Sequence, residues 1–196
     1  FTGIDMFRST VTVLGSGEVA MTGEGGSTGN FNRGIVLRTG STIETENGGI
    51  SLTGVVQGTN ASYGSGVTLL GSTVAQTGAA ASGAIVIDGS GGGSGIYNTG
   101  VTMDAGSTVT ALGTTTIDID GTGVGNGYGY GVVIDRGSTL SAVNGEVAVD
   151  GTGGAGGNFN IGISLEVKSS LTVTGTGGIT LTGEGGGTGV FNTGVA

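Results

Sequence analysis

A short triplet, serine then a hydroxyl residue then an aliphatic one, returns six times at intervals of 31 to 35 residues. The copies are Ser9-Thr10-Val11, Ser41-Thr42-Ile43, Ser72-Thr73-Val74, Ser107-Thr108-Val109, Ser138-Thr139-Leu140 and Ser169-Ser170-Leu171. Self-similarity at a fixed period of this size marks a solenoid, a propeller or an array, in which no unit hides its apolar face alone.

Superposing the units shows three alternating segments in each. The first follows the serine, as in Thr10-Val11-Thr12-Val13 and Thr108-Val109-Thr110-Ala111. The second runs Val19-Ala20-Met21, Ile50-Ser51-Leu52, Ile85-Val86-Ile87, Ile117-Asp118-Ile119, Val147-Ala148-Val149 and Ile179-Thr180-Leu181. The third follows a glycine, as in Gly34-Ile35-Val36-Leu37 and Gly131-Val132-Val133-Ile134. Period-two alternation marks a strand with one buried face. Helix is excluded, because no segment keeps a 3.6-residue period and glycine interrupts roughly every ten residues.

The reading is an all-β chain, residues 1–196 forming one β-solenoid segment of about six coils with three strands per coil. Parallel crossovers are right-handed in nearly all cases, so a right-handed parallel β-helix is expected. Strand spacing of about 4.8 Å would make the six coils a rod of roughly 29 Å. The chain starts within a repeat, at Phe1-Thr2-Gly3-Ile4, and stops at the equivalent place, so a segment of a longer array is expected.

Glycine supplies 49 of the 196 residues. Gly23, Gly54, Gly89, Gly121, Gly151 and Gly183 follow the second segment, and Gly40, Gly71, Gly106 and Gly137 close the third. Both sets are expected at corners with positive φ, where a Cβ would clash. The tracts Glu24-Gly25-Gly26-Ser27, Gly91-Gly92-Gly93-Ser94 and Glu184-Gly185-Gly186-Gly187 predict a protruding loop or a wide turn. An extra Ala79-Ala80-Ala81-Ser82 in the third unit is expected to bulge outward.

Once per coil, three residues before the third-segment glycine, stands an aromatic: Phe31, Tyr63, Tyr97, Tyr128, Phe159 and Phe191. Asn32, Asn98, Asn160 and Asn192 follow it in four coils. Stacking predicts an aromatic ladder beside an asparagine ladder, both pinning register. The alternative is an exposed strip that stacks on sugar rings, with surface glycans as partner.

The acids also align. Asp88, Asp120 and Asp150 share one position after the second segment, and Asp104, Asp135 and Glu166 share one after the third. Asp118 adds a local Asp118-Ile119-Asp120-Gly121. Like charges one strand apart repel. The columns are read either as a solvated acidic face that keeps a rod soluble or as oxygen ligands for Ca²⁺. The five bases, Arg8, Arg33, Arg38, Arg136 and Lys168, show no clustering with the acids along the sequence.

Composition narrows the chemistry. Without histidine or cysteine, imidazole-based triads, thiol nucleophiles and the common zinc sites are excluded. The net charge of −9 argues against nucleic acid and anionic membranes. No apolar run reaches the roughly 18 residues of a membrane span. Glycine-rich strings such as Gly23-Glu24-Gly25-Gly26 precede no helix that could bind phosphate. A paired threonine face for ice binding is broken by Glu44 and Ala75. An active site interrupts a repeat, and this repeat is uninterrupted, so the chain is read as non-enzymatic.

With the units aligned, Gly178-Ile179-Thr180-Leu181-Thr182-Gly183-Glu184-Gly185-Gly186-Gly187-Thr188-Gly189 and Asn158-Phe159-Asn160-Ile161-Gly162-Ile163 carry a resemblance. The chain resembles, over its whole length, the glycine-rich repeat arrays of filamentous-haemagglutinin-like and autotransporter-like bacterial surface proteins. The resemblance implies secretion to the cell surface, a right-handed β-helix, and a stalk, fibre or adhesin-shaft role. It supplies no catalytic residues. The expected partner is the chain itself, by covalent continuation or head-to-tail association.

Overall fold

The computed structural model describes residues 1–58 and 62–196. Among the described residues the chain is all-β, with three parallel sheets stacked as a solenoid of about six turns. The first sheet holds Thr10–Val13, Thr42–Thr45, Thr73–Gln76, Thr108–Ala111, Thr139–Ala142 and Ser170–Val173. The second holds Val19–Gly25, Ile50–Val56, Ile85–Ser90, Ile117–Thr122, Val147–Thr152 and Ile179–Glu184. The third holds Thr2–Phe7, Arg33–Arg38, Ser65–Leu70, Thr99–Asp104, Tyr130–Ile134, Ile161–Leu165 and Thr193–Val195. Every strand pairs with its counterpart one coil away, so equivalent residues lie in register from coil to coil.

Inward aliphatics form continuous columns. Ile50, Ile85, Ile117 and Val147 make one; Leu52, Ile87, Ile119 and Val149 make the next; all are buried. Each side chain contributes about 1.5–3 kcal/mol by leaving water. Val11, Leu171 and Leu181, in the terminal coils, pack on this core only partly buried.

The serine that heads each triplet is structural. Ser41, Ser72, Ser107 and Ser138 are buried at the corner between the third and first sheets. Ser107 Oγ donates to the Asp104 carbonyl at 2.7 Å, and Ser41 Oγ donates to the Arg38 carbonyl at 2.8 Å. The Ser41 and Ser107 hydroxyls thus find partners in the turn that forms the corner, as burial requires.

One set of glycines does not sit at corners. Gly23, Gly54, Gly89, Gly121, Gly151 and Gly183 lie inside the second-sheet strands, and none has positive φ. A Cβ on each would collide with the carbonyl oxygen of Gly34, Gly66, Gly100, Gly131, Gly162 and Gly194 respectively. Two glycine columns therefore face each other across the interior, and the second and third sheets close to backbone contact. The other set behaves as expected: Gly40, Gly71, Gly106 and Gly137 have φ of 76°, 58°, 73° and 77°.

The long connection is a wide turn. The second-sheet strands run further than the alternation suggests, leaving connections over 26–32, 91–98, 123–129 and 153–160. These turns stack through their own backbone bonds, including Asn126 N–H to Gly95 O at 3.1 Å and Gly189 N–H to Gly157 O at 3.2 Å. The alanine insertion is exposed at Ala79 and Ala80, but Ala81 folds back to 2% exposure.

Candidate functional site: the aromatic corner and the acidic columns

The last left-handed residue of the connection before the third sheet is the aromatic. Phe31, Tyr63, Tyr97, Tyr128, Phe159 and Phe191 have φ between 53° and 61°. A non-glycine residue there costs about 1–2 kcal/mol. The rings stack through the whole column, with centroids 4.9, 5.3, 4.5, 4.9 and 5.0 Å apart and interplanar angles of 10° to 23°. Each ring pair returns about 0.5–1.5 kcal/mol beyond area burial, and the two pairs of an interior ring together oppose the backbone strain. Backbone pairing continues beneath: Phe31 N–H donates to Ser62 O at 3.0 Å and Tyr63 N–H to Ile96 O at 3.0 Å.

The ladder is on the surface. Phe31 is 59% exposed, Tyr63 43% and Tyr97 38%. Yet each interior ring turns its faces to its neighbours and only its edge to water. Sugar stacking needs a free face, so the geometry favours a register role over the glycan strip. A groove of about 250 Å³ does run beside the rings, lined by Arg33, Ser65, Thr68, Thr99 and Thr102 among others. A second, of about 450 Å³, follows the stacked turns at Gly58, Gly93, Val124, Gly125 and Asn126.

Directly inside the rings, Asn32, Asn98 and Asn160 are fully buried. Their amides tie the glycine-rich turn to the stack. Asn160 Nδ2 donates to Gly156 O at 2.7 Å, and its Oδ1 accepts from Gly129 N–H at 3.0 Å, one coil earlier. Asn98 Oδ1 likewise accepts from Gly64 N–H at 2.8 Å, and Asn192 Oδ1 from Asn160 N–H at 3.0 Å. In the two coils without this asparagine, Gly64 and Gly129 hold its place, and each still lends its N–H to the asparagine of the next coil, as Asn160 does to Asn192.

The acidic columns differ from each other. On the second sheet Asp88, Asp120 and Asp150 are register partners. Burial, then the charges of Asp88, Asp150 and Asp118, pushes the Asp120 carboxyl above the ordinary aspartate value. Burial, then Asp150 and Glu146, does the same to Asp118. In the other column, Arg136 pairs with Asp104 at 3.0 Å and Asp135 at 3.5 Å, and Glu166 accepts from Ser164 Oγ at 2.7 Å. The bases therefore do meet acids in space: Arg38 also grips Asp5 through two bonds of 2.8 Å, which holds the Asp5 carboxyl below its ordinary value. Arg38–Asp5 and Arg136–Asp104 join residues about one coil apart, which separation along the chain hides, whereas Asp135 is the chain neighbour of Arg136. Among the described residues no three acidic side chains gather in a cluster that could hold a metal ion.

The class defined by fold and columns is a three-sheet parallel β-solenoid. No family model fits the chain, and neither a curated protein nor a solved structure matches it.

Proposed function

We propose that this chain is a non-catalytic structural segment of an extracellular bacterial fibre or adhesin shaft, stacked on further coils of its own chain or of a second copy. The observation that carries the reading is the unbroken register of the sheets, the glycine seam and the rings over six coils. The asparagine column lapses only at Gly64 and Gly129, whose N–H groups still bond the asparagine of the next coil. Both end coils leave inward apolar side chains incompletely covered: Val11 and Val13 at one end and Leu171 and Leu181 at the other are only half-buried, and Ile179 is 45% exposed. Solenoid ends of this kind associate unless covered. The placement at the cell surface rests on the resemblance of the repeat strings, and the acidic columns suit solubility and divalent cations.

Sedimentation across a concentration series, with electron microscopy of the same samples, tests the shaft reading. Rods that lengthen with concentration, by about 4.8 Å per added coil, are expected. Monomers that persist at high concentration would overturn end-to-end association. Labelling of intact, unpermeabilised native cells with an antibody to this segment tests the location.

A further inference from the structure

Three consecutive rungs of the aromatic ladder carry phenols, and the rungs beyond them do not. Tyr63, Tyr97 and Tyr128 stack with centroids 5.3 and 4.5 Å apart, between Phe31 above and Phe159 below. Tyr63 and Tyr97 are about two-fifths exposed, at 43% and 38%, on an outer corner. Tyr128 is half-buried. Two phenols held face to face within reach of solvent are prearranged for one reaction, because proximity replaces a second-order encounter.

We propose that Tyr97 is an oxidative coupling site, joined by a dityrosine bond to Tyr128 and, less often, to Tyr63. The oxidant is a peroxide used by a peroxidase. Each phenol gives up one electron and its hydroxyl proton. The two radicals combine between ring carbons ortho to oxygen. Each displaced ring hydrogen then passes through water to its own phenolic oxygen, which restores aromaticity. The two electrons and two protons reduce one peroxide to two waters. The closer pair, at 4.5 Å, couples first.

The product is a covalent staple between adjacent coils. It lies only in coils two to four, because phenylalanine at the outer rungs forms no phenoxyl radical. Tyr130 is outside the ladder. It lies in the third sheet between Thr99 and Ile161, neither of which can couple.

The test is peroxidase and peroxide treatment of the folded chain at low concentration, read by dityrosine fluorescence and mass. Cleavage after acidic residues places Tyr63 in peptide 47–88, Tyr97 in 89–104, and Tyr128 with Tyr130 in 121–135, where the Tyr128→Phe and Tyr130→Phe variants tell the two apart. The expected product links 89–104 to 121–135 within one chain, with the loss of two hydrogens. Tyr97→Phe keeps a ring in the stack and should lower the intramolecular yield at least tenfold. Tyr63→Phe and Tyr128→Phe should each retain one linkage, and Tyr130→Phe should retain both. The proposal fails if wild-type chain forms no dityrosine where free tyrosine does. It fails equally if Tyr97→Phe keeps the intramolecular product, or if linkage is to Tyr130 alone or only between chains.

Discussion

The glycine seam and the aromatic corner are both columns with one residue per coil, and they solve opposite problems. At the seam the second and third sheets meet backbone to backbone, so the fold admits no side chain. At the corner the backbone takes a left-handed conformation that glycine would adopt freely, yet the chain places its largest side chains there. The seam is specified by what is missing. The corner is specified by what is added, at a cost in backbone strain that ring stacking opposes.

The largest expected effect breaks the seam. Gly121→Ala forces a methyl group into the Gly131 carbonyl and should destabilise by about 3 kcal/mol or more. Gly137→Ala is the contrast: nothing lies within 4 Å of its Cβ, and the cost is the positive φ alone, about 1–2 kcal/mol. Denaturant midpoints of the two variants measure the difference. Equal losses would mean that the sheets are not in contact there.

A smaller effect sharpens the corner. Tyr97→Ala loses two ring contacts and keeps the strain, for about 1–3 kcal/mol. Tyr97→Gly loses the same contacts but relieves the backbone, and should be more stable than the alanine variant by about 1 kcal/mol. An alanine variant as stable as the glycine one would show that the left-handed conformation carries no cost.

The smallest effect concerns charge. Raised carboxyls bind protons more readily in the folded chain than in the unfolded one. Stability therefore falls as pH rises through the window above the ordinary value of 3.8 for Asp118 and Asp120, and the penalty persists at neutral pH. Asp5 has the opposite sign: its contribution is present above 3.8 and is lost as pH falls below it. A thermal-melt optimum in mild acid is expected. At pH 7 Asp120→Asn should stabilise by about 0.5 kcal/mol. Millimolar calcium should raise the wild-type melt and raise that of the variant less. Identical melts in calcium and chelator would remove the cation from the shaft proposal.

Most of this architecture was legible in the sequence, because inward aliphatics advertise a strand by their size. The seam was not. Along the second sheet the inward positions run Ile117, Ile119, Gly121, and the alternation continues unbroken through the glycine. Once the inward residue has no side chain, period-two contrast vanishes, and an extended glycine reads like a corner one. The clue was parity: Gly121 sits two residues after Ile119, on the same face. The ion pairs were hidden for a different reason. Arg38 and Asp5 are 33 residues apart, a distance that means contact only once the coil length is known. The asparagine column showed its four members, but not that Gly64 and Gly129 complete it from the backbone.

The seam carries one further consequence. Gly121 faces Gly131 of its own turn, and Gly131 also abuts Gly151 of the next; the same two contacts recur from turn to turn. Each turn thus offers its neighbours the same upper and lower outline. Recombination between repeats could drop or duplicate a whole turn, with no compensating change elsewhere, so length becomes a trait that can evolve one turn at a time.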